Sequence, residues 1–204
     1  GNPRHYQYIL NFMAYSIQHA DRPQEDMMVV RGPKGIGKSI WAERWLRMFG
    51  SHGMATPRMD SLIGQFNSRV AKLCAVYIDE GMWGGDKQSE QHLKRLITQD
   101  TLDTEAKFMD KKSVRNYLTM IMTTNNDWAV PASIEERRFA VFDAYGAYPQ
   151  RDPFFKKVID EMDLNGGMQA MFYDLMHRDV RNFHPREVPN TKALRSQKLL
   201  SMGA

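Results

Sequence analysis

Met27-Met28-Val29-Val30-Arg31-Gly32-Pro33-Lys34-Gly35-Ile36-Gly37-Lys38-Ser39 decides how the rest of the chain is read. A short apolar run bounded by a charged segment and a glycine has the pattern of a buried strand. The turn that follows, Gly32, Pro33, Lys34, Gly35, Ile36, Gly37, Lys38 and Ser39, fits G-x-x-x-x-G-K-[ST], and a helix is expected from Lys38 to about Met48. Glycines let the backbone curl so that its amides face an anion, which a side chain would keep at a distance. The helix adds its unpaired N-terminal amides and the positive end of its dipole. Bound nucleotide is therefore expected here, with Lys38 on the β and γ phosphates and the Ser39 hydroxyl on Mg²⁺.

Working outward, Tyr6 to Gln18 carries apolar residues at helical spacing and stops at Asp21-Arg22-Pro23. Gly50 is placed to cap the helix after the glycine turn. Asp60 to Lys72 reads as a helix, Leu73 to Ile78 as a buried strand, Ser89 to Thr98 as a helix, Tyr117 to Met122 as a third strand and Phe139 to Phe142 as a fourth. Alternating strands and helices imply an α/β fold with a central parallel sheet flanked by helices. After Pro149 the helical stretches Phe154 to Met162, Met168 to His177 and Thr191 to Leu200 read as a small C-terminal appendage. The expected division is an N-terminal helical segment, 1–24, a nucleotide-binding core, 25–148, and a C-terminal helical subdomain, 149–204.

The 204 residues hold 28 lysines and arginines against 24 acidic residues, a formal charge of +4, which permits a nucleic-acid partner without requiring one. Hydrophobic residues make up 42% of the chain, too many for a disordered one. A single cysteine, Cys74, excludes an internal disulfide framework, and the six histidines show no metal spacing. With no apolar run long enough to span a bilayer, the expectation is a cytoplasmic protein. Both chain ends lack terminating signals, as in a fragment of something longer.

Three further clusters carry chemistry. Asp79-Glu80 closes a buried strand, where ligand sites of parallel α/β sheets lie; Asp79 would hold Mg²⁺ through water and Glu80 would orient or deprotonate the attacking water. The alternative is a strand leaving the core through charged residues. Thr123-Thr124-Asn125-Asn126 closes another strand, and one asparagine, preferably Asn125, could hold that water; two adjacent asparagines also suit a plain turn. In Glu135-Glu136-Arg137-Arg138-Phe139 an arginine could neutralise charge on a transferred phosphoryl group across a subunit contact, or the pair could be surface ion-pairing residues.

In this order the clusters resemble the superfamily 3 helicases, a branch of the AAA+ ATPases, and among them the helicase domains of phage and plasmid primase-helicases. The resemblance rests on Gly32 to Ser39, Tyr77-Ile78-Asp79-Glu80, Leu93 to Thr98 with Lys107, Thr124-Asn125 followed by Val130-Pro131, Glu136-Arg137-Arg138-Phe139, Leu10 to Tyr15 and Asn190 to Leu194. It implies an ATP- and Mg²⁺-dependent homo-hexamer that translocates on single-stranded DNA in the host-cell cytoplasm, fused to or working with a primase or polymerase domain. It makes Lys38, Glu80, Asn125 and the pair Arg137 and Arg138 catalytic, Arg137 or Arg138 being the finger. A DNA-contacting hairpin is implied between the acidic and asparagine strands, where Lys107, Lys111 and Lys112 are the candidate phosphate contacts. Without the family, the same loop could be a solvated one balanced by its acidic residues. Other functions share the glycine turn: an ATP-gated DNA-binding or loader module without processive unwinding, or a small-molecule phosphotransferase.

Overall fold

The structure, a computed structural model, describes residues 2–57, 59–63, 68–81, 87–105, 110, 112–146 and 153–202. Lys107, Lys111 and Trp83 lie outside the described residues.

A five-stranded sheet organises the chain. Its strands are β1 (Met27–Arg31), β2 (Gly53–Thr56), β3 (Ala75–Ile78), β6 (Thr119–Thr124) and β7 (Phe139–Asp143), in the order β2-β3-β6-β1-β7. Every pairing between them is parallel. A parallel sheet is covered on both faces, so its strands are apolar throughout, and alternate residues divide between two cores. Met27, Val29, Val76, Ile78, Met120, Met122, Phe139 and Val141 face one core with Leu62, Val70, Leu93, Ile97 and Leu194. Met28, Val30, Ala75, Tyr77, Ile121, Ala140 and Phe142 face the other with Phe12, Trp45 and Leu175.

The first core is covered by α3 (Asp60–Ile63), α4 (Lys87–Thr98) and α7 (Lys192–Met202), the second by α1 (Pro3–Gln18), α2 (Lys38–Arg47) and α6 (Gly167–His177). Helices from both ends of the sequence thus share the cores of the sheet. α5 (Pro153–Leu164) has no buried residue of its own and lies beside α6. Asn2 caps α1 by accepting a hydrogen bond from the Arg4 amide at 2.9 Å, and Pro3 sits at the position where its missing N–H costs nothing.

Several elements differ from expectation. Gly50 does not cap α2; with φ +54 it begins a 3-10 turn, Gly50–His52, that feeds β2, an edge strand too short and too exposed to show a period. In the segment expected as one helix, Asp60 to Lys72, α3 is followed by the 3-10 turn Ser68–Lys72, which turns Val70 into the core. The strand expected over Tyr117 to Met122 is shifted by two residues, to Thr119–Thr124, so that Thr123 and Thr124 are its last two residues, both buried. β4 (Thr101–Thr104) and β5 (Lys112–Arg115) form a separate antiparallel pair.

Candidate nucleotide site

At the carboxyl edge of the sheet, β1, β3 and β6 end around one cleft of ≈ 330 Å³, lined by residues that include Lys34, Gly35, Gly37, Lys38, Ser39, Asp79, Glu80, Thr123 and Asn125. The register explains the convergence. β6 lies between β1 and β3, with Thr123 paired to Val30 and Met122 paired to Ile78. One residue beyond that pairing, Asp79 meets Thr123.

The glycine turn is held from both sides. The Gly32 amide donates to Thr124 O at 3.1 Å, and a Cβ on Gly32 would lie 2.4 Å from Ala144 O. Gly37 (φ +84) precedes α2 as its cap residue, no side chain caps that first turn, and the Ile40 amide turns back to Gly37 O at 3.2 Å. A Cβ there would come within 2.5 Å of the Phe155 ring, which α5 lays over the turn. The Lys38 ammonium donates to Gly32 O at 2.7 Å and Pro33 O at 2.6 Å, folded back into the curl that a phosphate would fill. Burial lowers its pKa, against the opposing pull of Glu80 and Asp79.

Asp79 is held by three hydroxyls. Tyr77 donates to its Oδ1 at 2.6 Å, Thr123 at 3.1 Å and Ser39 at 3.5 Å, while Tyr77 and Thr123 lie 2.7 Å apart. Tyr77 and Asp79 share a face because they are two residues apart on one strand direction. Burial, then the bond to Asp79, raises the Tyr77 phenol above its ordinary range and keeps it a donor. All three bonds fall on Oδ1, and Asp79 lines the cleft. Ser39 and Asp79 offer hard oxygen donors at one spot, which fits the Mg²⁺ that accompanies a nucleotide.

Glu80 stands at the cleft mouth with φ +51, an uncommon backbone for a non-glycine residue. Its carboxylate is mostly exposed and lies 3.7 Å from Lys34 Nζ, a pair too solvated to hold it rigidly. Asn125 lines the cleft, whereas the Asn126 side chain turns back onto Thr124 Oγ1 at 3.2 Å. The arginine pair is divided in the same way. Arg138 is tied to the buried Glu136, with Nη1 3.1 Å from Oε1. Arg137 is exposed, and among the described residues its side chain makes no hydrogen bond or ion pair. Burial pushes the Glu136 carboxyl up, but the Arg138 amide and the charges of Arg138 and Lys94 outweigh it and hold the pKa below its ordinary value.

Lys112 is exposed at one end of β5 and Arg115 at the other, where its guanidinium lies 5.9 Å from the Tyr117 ring centre. Lys94 is not free for a ligand, being bound to Glu90 at 2.5 Å and Glu136 at 3.3 Å. Tyr77, Thr123, Phe155 and Ile159 belong to the site or its wall without having been singled out in the sequence. The Thr pair at the end of β6 was the available signal for Thr123. Among the described residues no group of three or more His, Cys, Asp or Glu side chains gathers at one point, and no helix is long and apolar enough to cross a membrane.

Comparison with known proteins agrees with this geometry at the level of fold. Over 146 residues, 70% of this chain, it is 23% identical to the DNA primase-polymerase of Nitratiruptor phage NrS-1, and spans 20% of that protein's length. Two apo structures of the NrS-1 C-terminal region superpose with TM-scores of 0.79 and 0.71, each at 19% identity. They cover 98% and 96% of this chain and 48% and 47% of the solved chains. The chain thus spans about a fifth of the curated relative and about half of the solved region. A family match covers residues 30–138, from the end of β1 through the glycine turn, the acidic strand and the asparagine strand to Arg138. That match takes in more than half of the sequence, and the chain belongs to the family of unknown function DUF5906.

Proposed function

We propose that this chain is an ATP-driven DNA helicase motor of the superfamily 3, AAA+ type, with residues 25–148 as its ATPase core and residues 1–24 and 149–204 as helical flanks. One observation carries the proposal: β6, which leads into Asn125, lies between β1, which leads into the glycine turn, and β3, which leads into Asp79-Glu80. That order sets a water-holding amide between the phosphate cradle and a carboxylate, the arrangement hydrolysis requires. A transfer to an alcohol acceptor would not need it.

Phosphate oxygens take backbone amides of 34–39 and the Lys38 ammonium, which exchanges its two carbonyl partners for the anion. Ser39 and Asp79 would hold Mg²⁺, which would supply positive charge to offset that of the phosphates. Asn125 and Glu80 orient a water on the γ-phosphorus; as its oxygen bonds, the bridge to the β-phosphate breaks and the proton passes to Glu80. The exposed Arg137 is the arginine offered to the ATP of a neighbouring copy, and Arg138 is its tether. A ring of identical copies, six in the implied family, is the assembly in which that arginine would serve a neighbour's site.

The hairpin β4–β5, with Lys112 and Arg115 exposed, supports contact with single-stranded DNA phosphates, and Lys107 and Lys111 are assigned the same role. A relative named as a DNA primase-polymerase supports work beside a primase or polymerase domain. Strand displacement on a forked duplex tests the reading. ATP-dependent unwinding, absent in Lys38→Ala, is expected. DNA-stimulated ATP hydrolysis without unwinding favours the loader, and hydrolysis indifferent to DNA overturns a DNA motor.

A further inference from the structure

Between β6 and β7 the backbone runs from Asn125 to Arg138 without regular secondary structure, yet Ala129, Val130 and Ala132 are fully buried. Irregular backbone in a core needs hydrogen-bond partners from elsewhere. Here α7 provides them. Gln197, itself fully buried, accepts through Oε1 from the Ala129 amide at 2.7 Å and the Val130 amide at 3.2 Å, and donates through Nε2 to Asp127 O at 2.6 Å. Ser201 Oγ accepts from the Ala132 amide at 3.0 Å and from Trp128 Nε1 at 3.2 Å. Lys198 Nζ donates to Ile134 O at 2.6 Å, three residues before Arg137.

α7 is itself fixed to the sheet. Thr191 Oγ1 donates to Val141 O of β7 at 2.5 Å and accepts from the Leu194 amide at 2.9 Å as the helix cap, and Ala193 and Leu194 are in the core. The same Asp127 carbonyl that Gln197 holds also accepts from Arg31 Nη1 at 2.6 Å, at the end of β1 and next to the glycine turn. One helix therefore fixes the loop whose two ends carry Asn125, which faces the chain's own cleft, and Arg137, which faces outward.

We infer that α7 is the template of this loop and that Gln197, with Ser201 and Lys198, is a positioning residue that sets where Arg137 stands for a neighbouring copy's ATP. The inference rests on the trans-arginine reading above. A buried glutamine that reads two amides and one carbonyl specifies one backbone path; an apolar side chain of similar volume would fill the space, leave the Ala129 and Val130 amides unpaired and leave the Asp127 carbonyl to Arg31 alone.

Mixing experiments with the intact protein test it. Gln197→Leu is expected to keep Mg-ATP affinity while kcat falls by about tenfold to a hundredfold, the range for displaced catalytic groups. Subunits of Gln197→Leu mixed with Lys38→Ala are expected to regain turnover, because the first supplies a working phosphate site and the second a correctly placed Arg137. Ser201→Ala, a smaller change, covers a failure of Gln197→Leu to fold, and is expected to lower kcat with KM unchanged and to be rescued in the same way. Loss of ATP binding together with activity in the folded variants, absence of rescue on mixing, or wild-type turnover overturns the inference. The control mixture of Arg137→Ala with Lys38→Ala separates the two levels. If it regains activity while the α7 variants behave as wild type, the template alone fails; if it stays inactive, the trans-arginine reading falls and the template with it.

Discussion

Tyr77 is the residue whose role was least visible beforehand. Its hydroxyl is buried between Asp79 and Thr123, and without it Asp79 Oδ1 loses its shortest bond. Tyr77→Phe is expected to cost about 1–3 kcal/mol of stability, the penalty for unpaired buried groups, and to raise the Mg²⁺ concentration needed for half-maximal hydrolysis. Thermal unfolding and a Mg²⁺ titration of activity measure the two effects. Glu80 lies at the opposite extreme, exposed and weakly paired, so Glu80→Gln is expected to bind Mg-ATP as the wild type does while hydrolysis drops by about 10²–10⁴-fold. Wild-type hydrolysis by that variant would remove Glu80 from the reaction. Lys38, Ser39, Asp79 and Glu80 were legible because their spacing and strand context are local. Thr123 and Tyr77 acquire meaning only when β6 is inserted between β1 and β3, a lateral fact that spacing along the chain does not encode.

Among the elements, the glycine turn and the α5 segment above it are coupled. Gly37→Ala would force a Cβ against the Phe155 ring and strain a φ of +84, at about 1–2 kcal/mol for the backbone alone. Its expected outcome is weakened nucleotide binding in a fluorescence titration, whereas Gly50→Ala, with open space around it, should leave binding intact. The apolar strands β1, β3, β6 and β7 were legible as continuous hydrophobic runs, since both of their faces are covered. β2 was not: it is a four-residue edge strand with only Thr56 buried. The two-stranded pair was legible only through family resemblance, because Lys112–Arg115 has no buried face to create a period. For that pair, Lys112→Ala is expected to weaken single-stranded DNA binding and to reduce the salt slope of log K by about 0.7, one phosphate contact. An unchanged slope would take Lys112 off the DNA.

At the scale of the molecule, α1 is fastened to the sheet and to the C-terminal segment through a buried carboxyl. Tyr8 Oη lies 2.6 Å from Asp26 Oδ2 and 3.0 Å from Pro185 O, while Asp26 Oδ1 has no hydrogen-bond partner. The Tyr8 hydroxyl is the donor to both the Asp26 carboxyl and the Pro185 carbonyl, so one phenolic hydrogen is shared between two acceptors. Burial raises the Asp26 pKa well above its ordinary value, with the Glu25 charge adding to the effect. The folded state therefore binds more protons than the unfolded chain, and stability falls as pH rises from about 4, the unfolded value, through the raised folded one. Asp26→Asn is expected to flatten that decline in a series of melting curves, and an unchanged slope would assign it to other groups. The three-part division of the sequence was drawn where its character changes, at Asp21-Arg22-Pro23 and at the run of helices after Pro149. The packing of α1 and α7 into the cores of the sheet depends on contacts between residues far apart in sequence, such as Thr191 with Val141.

The central claim is that ATP is hydrolysed at a site completed by a second copy, and phosphate release measured over a series of protein concentrations tests it most directly. With Mg-ATP and single-stranded DNA, the rate per subunit should rise with protein concentration to a plateau and collapse in Arg137→Ala, while nucleotide affinity at the plateau stays that of the wild type. A rate per subunit independent of concentration in a protein that remains monomeric, with Arg137→Ala fully active, would contradict it.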